Sequence, residues 1–124
     1  MKFLLLIYTD DTLLEALPAG AFDQMMHGCI THADELKTQG TLLESQQLKH
    51  GSTARTVRVR DGRTQVVDGP FAETKEILGG YNLIEADSLD EAVKIAQEFP
   101  WIGTGSIEVR PVRDFEAVRR RVGA

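Results

Sequence analysis

The chain has 124 residues, 42% of them hydrophobic and 27% charged, and its 14 basic against 19 acidic side chains give a formal net charge of −5. That profile fits a single globular domain, large enough to bury a core without disulfides or structural metal and too small for two domains. The lone Cys29 excludes an internal disulfide and a cysteine-rich zinc site and suits a reducing cytosol, while the acidic balance argues against nucleic acid as a partner.

In chain order, Lys2 to Tyr8 is a continuous apolar run with acidic Asp10-Asp11 directly after it. The run is too short and too closely followed by acid for a signal peptide, and it predicts a buried first strand. No other run approaches the roughly 20 apolar residues of a membrane span. From Phe22 the apolar residues Met25, Met26, Cys29, Ile30, Ala33 and Leu36 recur on one face, predicting a long amphipathic helix that Gly40 stops. Residues 41–48 form a second strand, and His50-Gly51-Ser52-Thr53 a polar loop. Thr56 to Arg60 alternates at period two, Asp61-Gly62 is a two-residue turn, and Gln65-Val66-Val67 returns as the partner strand of a hairpin.

The segment Asp68-Gly69-Pro70-Phe71-Ala72-Glu73-Thr74-Lys75-Glu76 is too polar and too broken for a core element and reads as an ordered loop. Gly79-Gly80 opens a strand over Tyr81 to Ala86. Ser88 and Glu91 have the spacing of a capping box, so a second helix is expected over 89–99, ended by Pro100. A last strand over 106–112 and a short helix over 114–121 complete the chain. Two helices separated by a run of strands predict an α+β fold, with an antiparallel sheet covered by both helices on one face. The other face then needs a cover, and a second copy packed face to face, a homodimer, is the simplest one.

The loop and the elements around it carry a resemblance. Asp68-Gly69-Pro70-Phe71, the Lys2-to-Tyr8 strand followed by acid, Thr56-Val57-Arg58-Val59 before Asp61-Gly62, Leu89-Asp90-Glu91-Ala92 and Ile107-Glu108-Val109-Arg110-Pro111 resemble, in the same order, the YCII-related family, in particular its subgroup named after the D-G-P-F tetrapeptide. The likeness runs nearly end to end, as one domain over residues 1–124. It implies a ferredoxin-like protomer in a dimeric α+β barrel. It also implies either small-molecule chemistry through a His–Asp pair, or a regulatory role beside an extracytoplasmic-function sigma factor.

Of the histidines, His27 lies roughly 140° from the centre of the helix stripe and faces water, whereas His32 lies roughly 80° from it, on the stripe's edge. His32 and Asp68 are the candidate acid–base pair, the carboxylate holding one imidazole tautomer. The alternatives are that His32 covers apolar surface and that Asp68 makes an Asx-turn that shapes the loop. Gly69, Pro70, Phe71, Glu73 and Lys75 are candidate ligand contacts of the loop, with Phe71 also read as a core anchor. Arg58, with Arg60 and Arg110, would bind an anion if its sheet face lines a cavity, and Tyr81 would floor that cavity with Trp101. Cys29, central in the stripe, is a core residue rather than a nucleophile.

No phosphate loop, dinucleotide fingerprint, zinc helix or nucleophile elbow is present, so neither cofactor nor metal is expected. Charge is unevenly spread: residues 1–109 hold 9 basic and 17 acidic groups, residues 110–124 hold 5 and 2. The basic end is either a docking tail or a final helix whose arginines complement its dipole.

Overall fold

The computed structural model describes residues 1–72 and 74–124. Its elements are β1 (Lys2–Asp10), α1 (Asp11–Glu15), α2 (Ala21–Thr38), β2 (Leu42–Gln47), β3 (Arg55–Arg60), β4 (Arg63–Asp68), β5 (Glu76–Glu85), α3 (Leu89–Gln97), β6 (Gly105–Pro111) and α4 (Phe115–Val122). Four strands form one sheet in the order β2-β5-β1-β6, every neighbouring pair antiparallel. With α2 joining β1 to β2 and α3 joining β5 to β6, this is the ferredoxin-like βαββαβ arrangement. The mixed α+β fold expected from the chain pattern is thus the one observed.

Local chemistry sets the element ends. Gly40, at φ +79°, follows α2. Ser88 caps α3 by accepting from the Glu91 N–H at 3.1 Å, while Glu91 accepts from the Asp87 N–H at 2.8 Å. Asp61 and Gly62 both have positive φ, as a two-residue hairpin turn requires.

On the helix-facing side Phe3, Leu5 and Ile7 of β1 and Ile84 of β5 meet Cys29 and Leu36 of α2, Ala92, Ile95 and Ala96 of α3, then Phe99 and Trp101. Ile107 and Val109 of β6 pack against this cluster. Burial pushes the Cys29 thiol above its ordinary pKa, consistent with a core residue.

Two expectations are corrected, and one element is added. The β3–β4 hairpin does not extend the main sheet but forms a separate two-stranded one, leaving Val57, Val59 and Val66 exposed. Its alternation marks the two faces of a free-standing ribbon, a signal that period two alone cannot distinguish from a half-buried strand. Gly79-Gly80 lies inside β5 rather than before it, because the strand begins at Glu76 and a bulge at Ile7/Tyr8 absorbs Gly79. A one-turn helix, α1, follows β1, capped by the buried Asp10, whose Oδ1 accepts from the Thr12 and Leu13 N–H groups.

The side of the sheet away from the helices carries Leu4, Leu6 and Tyr8, with Tyr81 and Leu83 opposite Leu6 and Leu4. All five are half-buried.

Candidate functional site

β1 and β2 both pair antiparallel with β5, so they run parallel to each other and end at the same edge of the sheet, on either side of the start of β5. Asp11 follows β1 there, and His50 follows β2, so that topology brings two distant residues together. His50 Nε2 lies 2.8 Å from Asp11 Oδ2. His50 also begins a single 3₁₀ turn, Gly51–Thr53, with Nδ1 accepting from the Ser52 N–H at 3.1 Å and lying 2.9 Å from Ser52 Oγ. A backbone donor on Nδ1 assigns the neutral ring's proton to Nε2, which therefore donates to Asp11. The second carboxylate oxygen of Asp11 takes no hydrogen bond from a described residue. Both side chains are about half-exposed, at 61% and 45%.

The D-G-P-F loop lies beside this pair. Gly69 turns the chain at φ +98°, its N–H donating to the Ala54 carbonyl at 2.8 Å and its own carbonyl accepting from Thr56 Oγ1 at 2.9 Å. These bonds seat Pro70 over the 3₁₀ turn. A Cβ on Gly51 would lie 3.6 Å from Pro70 Cγ and 3.2 Å from Ile77 Cγ2, so loop, turn and β5 meet closely at that glycine. Between them opens a cleft of about 490 Å³, walled by His50, Pro70, Phe71, Tyr8, Ile77 and Leu78. That volume is in the range of small-molecule sites. A smaller cavity of about 180 Å³, lined by residues that include Asp11, His50, Phe22 and Trp101, shares the His50 ring as a wall.

The structure scatters the other candidate residues. His32 sits at the edge of the core with its ring edge-on to Phe99, centroids 4.5 Å apart. Its Nε2 lies 3.3 Å from the Glu98 carboxylate but is not aligned for a hydrogen bond. Asp68 lies in the hairpin opposite Arg55, whose Nε is 3.0 Å away, and its side chain is 86% exposed. The two therefore have different partners on different elements, and neither lines the D-G-P-F cleft. Arg58 donates to Gln65 along the hairpin, away from the cleft. Tyr81 donates to Glu44 at 2.9 Å on the open sheet face, and since ionisation would lose that bond its phenol is held above the usual tyrosine pKa. Lys75 Nζ stands 3.6 Å from the buried Asp10 carboxylate. Glu73 lies outside the described residues.

Pro70 and Phe71 do line the cleft, and Gly69 shapes it. Phe71 is not the core anchor expected: it follows the separate β3–β4 hairpin, is 77% exposed and stands at the wall of the cleft.

Helix periodicity could test His27 and His32, but His50 is in a loop and has no period to read. The usable signal was topological: in a ferredoxin-like order, the residues after the first and second strands meet across the third, which places Asp11 beside His50.

An uncharacterized protein, R00369, from Rhizobium meliloti (strain 1021) is 36% identical over 114 residues, covering 90% of this chain and 92% of its own. Among solved structures, the 5-chloro-2-hydroxyhydroquinone dehydrochlorinase TftG from Burkholderia phenoliruptrix AC1100, in complex with 2,5-dihydroxybenzoquinone, superposes with a TM-score of 0.47 at 15% identity, covering 91% of this chain and 94% of that one. The YCII-related domain matches residues 1–116, and with that span the chain belongs to the YCII-related family.

Proposed function

We propose that the protein binds a small aromatic acid in the D-G-P-F cleft and handles a proton there through the His50–Asp11 pair. The observation that carries this is a histidine on the wall of a cleft of about 490 Å³, paired at 2.8 Å with Asp11, which lines the smaller cavity on the other side of His50. The walls suit a ring: Tyr8, Phe71, Pro70 and Ile77 are apolar or aromatic, and Lys49 stands at the lining as a cation for an acid group. The pair also has a partner for each state of the ring. Neutral His50 accepts from Ser52 and donates to Asp11, whereas the imidazolium donates to Ser52 Oγ and to Asp11, whose charge it neutralises. Asp11 keeps one oxygen open to take a proton.

The proposal relocates the His–Asp chemistry expected for His32 and Asp68 to two other residues at the same loop. It also includes membership of the D-G-P-F subgroup, supported by Asp68 to Phe71, and a cytosolic location, supported by the single, buried cysteine. No helix among the described residues is long and apolar enough to cross a membrane. A homodimer formed through the half-buried face of Leu4, Leu6, Tyr8, Tyr81 and Leu83 completes the reading.

The test is a thermal-shift titration with benzoate and hydroxybenzoates on wild type, Asp11→Asn and His50→Ala. Ligand at about a hundred times its Kd stabilises the folded state by about 2.7 kcal/mol, and both substitutions should cut that shift. Equal shifts in all three proteins refute the site. Light scattering that reports a monomer at micromolar concentration refutes the dimer.

One feature favours a second reading, a non-catalytic docking protein that works with a sigma factor. The C-terminal helix α4 buries none of its residues, exposing Phe115 and Val122 beside Arg119, Arg120 and Arg121. A pull-down that retains a sigma factor and loses it with α4 removed supports this reading over the first.

A further inference from the structure

A separate cavity lies behind the sheet, between α2 and the β2–β5 half. Its volume is about 130 Å³, close to the roughly 150 Å³ of an engineered apolar cavity that holds benzene. Met26, Cys29 and Ala33 of α2 form one wall, with Phe99 and Trp101 at the side. It exists because β2 presents short or polar residues, Ser45 and Gln47, where a core strand would supply bulk, so α2 has nothing to close against.

Of the polar residues on its lining, Thr9, Ser45, Gln46, Gln47 and Asn82, the last is buried. Asn82 is 3% exposed, in the middle of β5. Its Oδ1 accepts from Ser45 Oγ, which fixes the amide, yet its Nδ2 donates to no described residue. Among the described residues the one fully buried side-chain polar atom without a partner is His32 Nε2, so the Asn82 amide N–H groups are reached from the cavity, where an acceptor can bond them. No charged side chain lines the cavity among the described residues. An ionised ligand there would be desolvated without a counter-charge, which a neutral one avoids.

We infer that this inner cavity is a second binding site, for a neutral single-ring compound whose carbonyl oxygen accepts from the Asn82 amide. The ring lies between Met26, Ala33 and Phe99, and the carbonyl points to the Ser45–Asn82 pair. The site is distinct from the D-G-P-F cleft, with which it shares no lining residue, and it prefers neutral molecules where that cleft prefers acids.

The probes are acetophenone, benzoate and ethylbenzene, which share a shape and differ in acceptor and charge. Binding is followed in ¹⁵N–¹H spectra by the indole resonance of Trp101, the single tryptophan, and by the Asn82 side-chain amide. Acetophenone should shift both resonances in wild type and bind about five- to tenfold more tightly than ethylbenzene, the worth of one net hydrogen bond. Benzoate should leave them unmoved. Asn82→Leu should reduce acetophenone to the affinity of ethylbenzene, while His50→Ala should leave acetophenone binding unchanged. If Asn82→Leu does not fold, the wild-type comparison of the three probes decides. Equal binding of acetophenone and ethylbenzene, benzoate binding with shifts at Asn82, or no movement of Trp101 at saturation overturns the assignment.

Discussion

Two adjacent glycines in β5 should respond very differently to the same added methyl group. A Cβ on Gly79 would meet Thr9 Cγ2 at 3.2 Å and Thr9 Oγ1 at 3.4 Å, both at the end of a side chain that can rotate. A Cβ on Gly80 would lie 2.8 Å from the Gln46 carbonyl oxygen and 3.4 Å from Gln47 Cα, both backbone atoms of β2. Either change gains about 0.5–1 kcal/mol because alanine loses less backbone entropy than glycine in a strand. For Gly79→Ala that gain roughly offsets the crowding, and stability should stay within about 1 kcal/mol of wild type. For Gly80→Ala the edge strand β2 must move away from β5, and overpacking against backbone costs about 1–3 kcal/mol or more beyond the gain. In a chain of this length, each kcal/mol corresponds to roughly 3–6 °C of Tm. A net loss of about 1–3 kcal/mol for Gly80→Ala therefore lowers Tm by about 3–18 °C. Urea unfolding of both variants, followed by circular dichroism, gives the two free energies directly. Because β2 leads into His50, Gly80→Ala should also weaken ligand binding in the D-G-P-F cleft. Equal stabilities for the two variants, or Gly79→Ala as the worse, would refute the close approach of β2 to β5 as described.

Further outcomes follow from other contacts. Asp68→Ala removes an exposed pair with Arg55, so denaturation should show a loss of no more than about 1 kcal/mol, and calorimetry should show cleft affinity unchanged. Phe99→Ala empties a side chain only 2% exposed and should cost about 3–5 kcal/mol by chemical denaturation, with His32 losing the ring it lies against. In a Tyr8→Phe background, tyrosinate absorbance should titrate Tyr81 above the ordinary tyrosine value of about 10, and Glu44→Gln should bring it down. The folded state holds that phenolic proton more tightly than the unfolded chain does. The Tyr81 contribution to stability is thus complete below pH 10 and falls as pH rises through the folded pKa.

Much of the fold was legible in residue order. The apolar stripe from Phe22 to Leu36, the Ser88/Glu91 cap and the Asp61-Gly62 turn are local signals, because backbone hydrogen bonding and side-chain direction repeat over a few residues. They determined most of the element types; element order led to an α+β fold with an antiparallel sheet, and the family resemblance to a ferredoxin-like one. The prominence of Asp68-Gly69-Pro70-Phe71 was legible too, since Gly and Pro constrain backbone wherever they occur. What that segment encloses was not. Residues 11 and 50 come together only after β5 is inserted between β1 and β2, a pairing of strands far apart in sequence that no local period records. The same holds for Phe71, whose hydrophobicity suggested burial while the projecting hairpin left it at a cleft wall, and for Asn82, polar in an apolar strand. Composition, charge and periodicity thus determined the fold class and most of the elements and marked the Asp68–Phe71 loop. Tertiary structure decided which histidine meets a carboxylate and where the cavities open, because both depend on long-range strand order and on how completely side chains from separate elements fill the space between them.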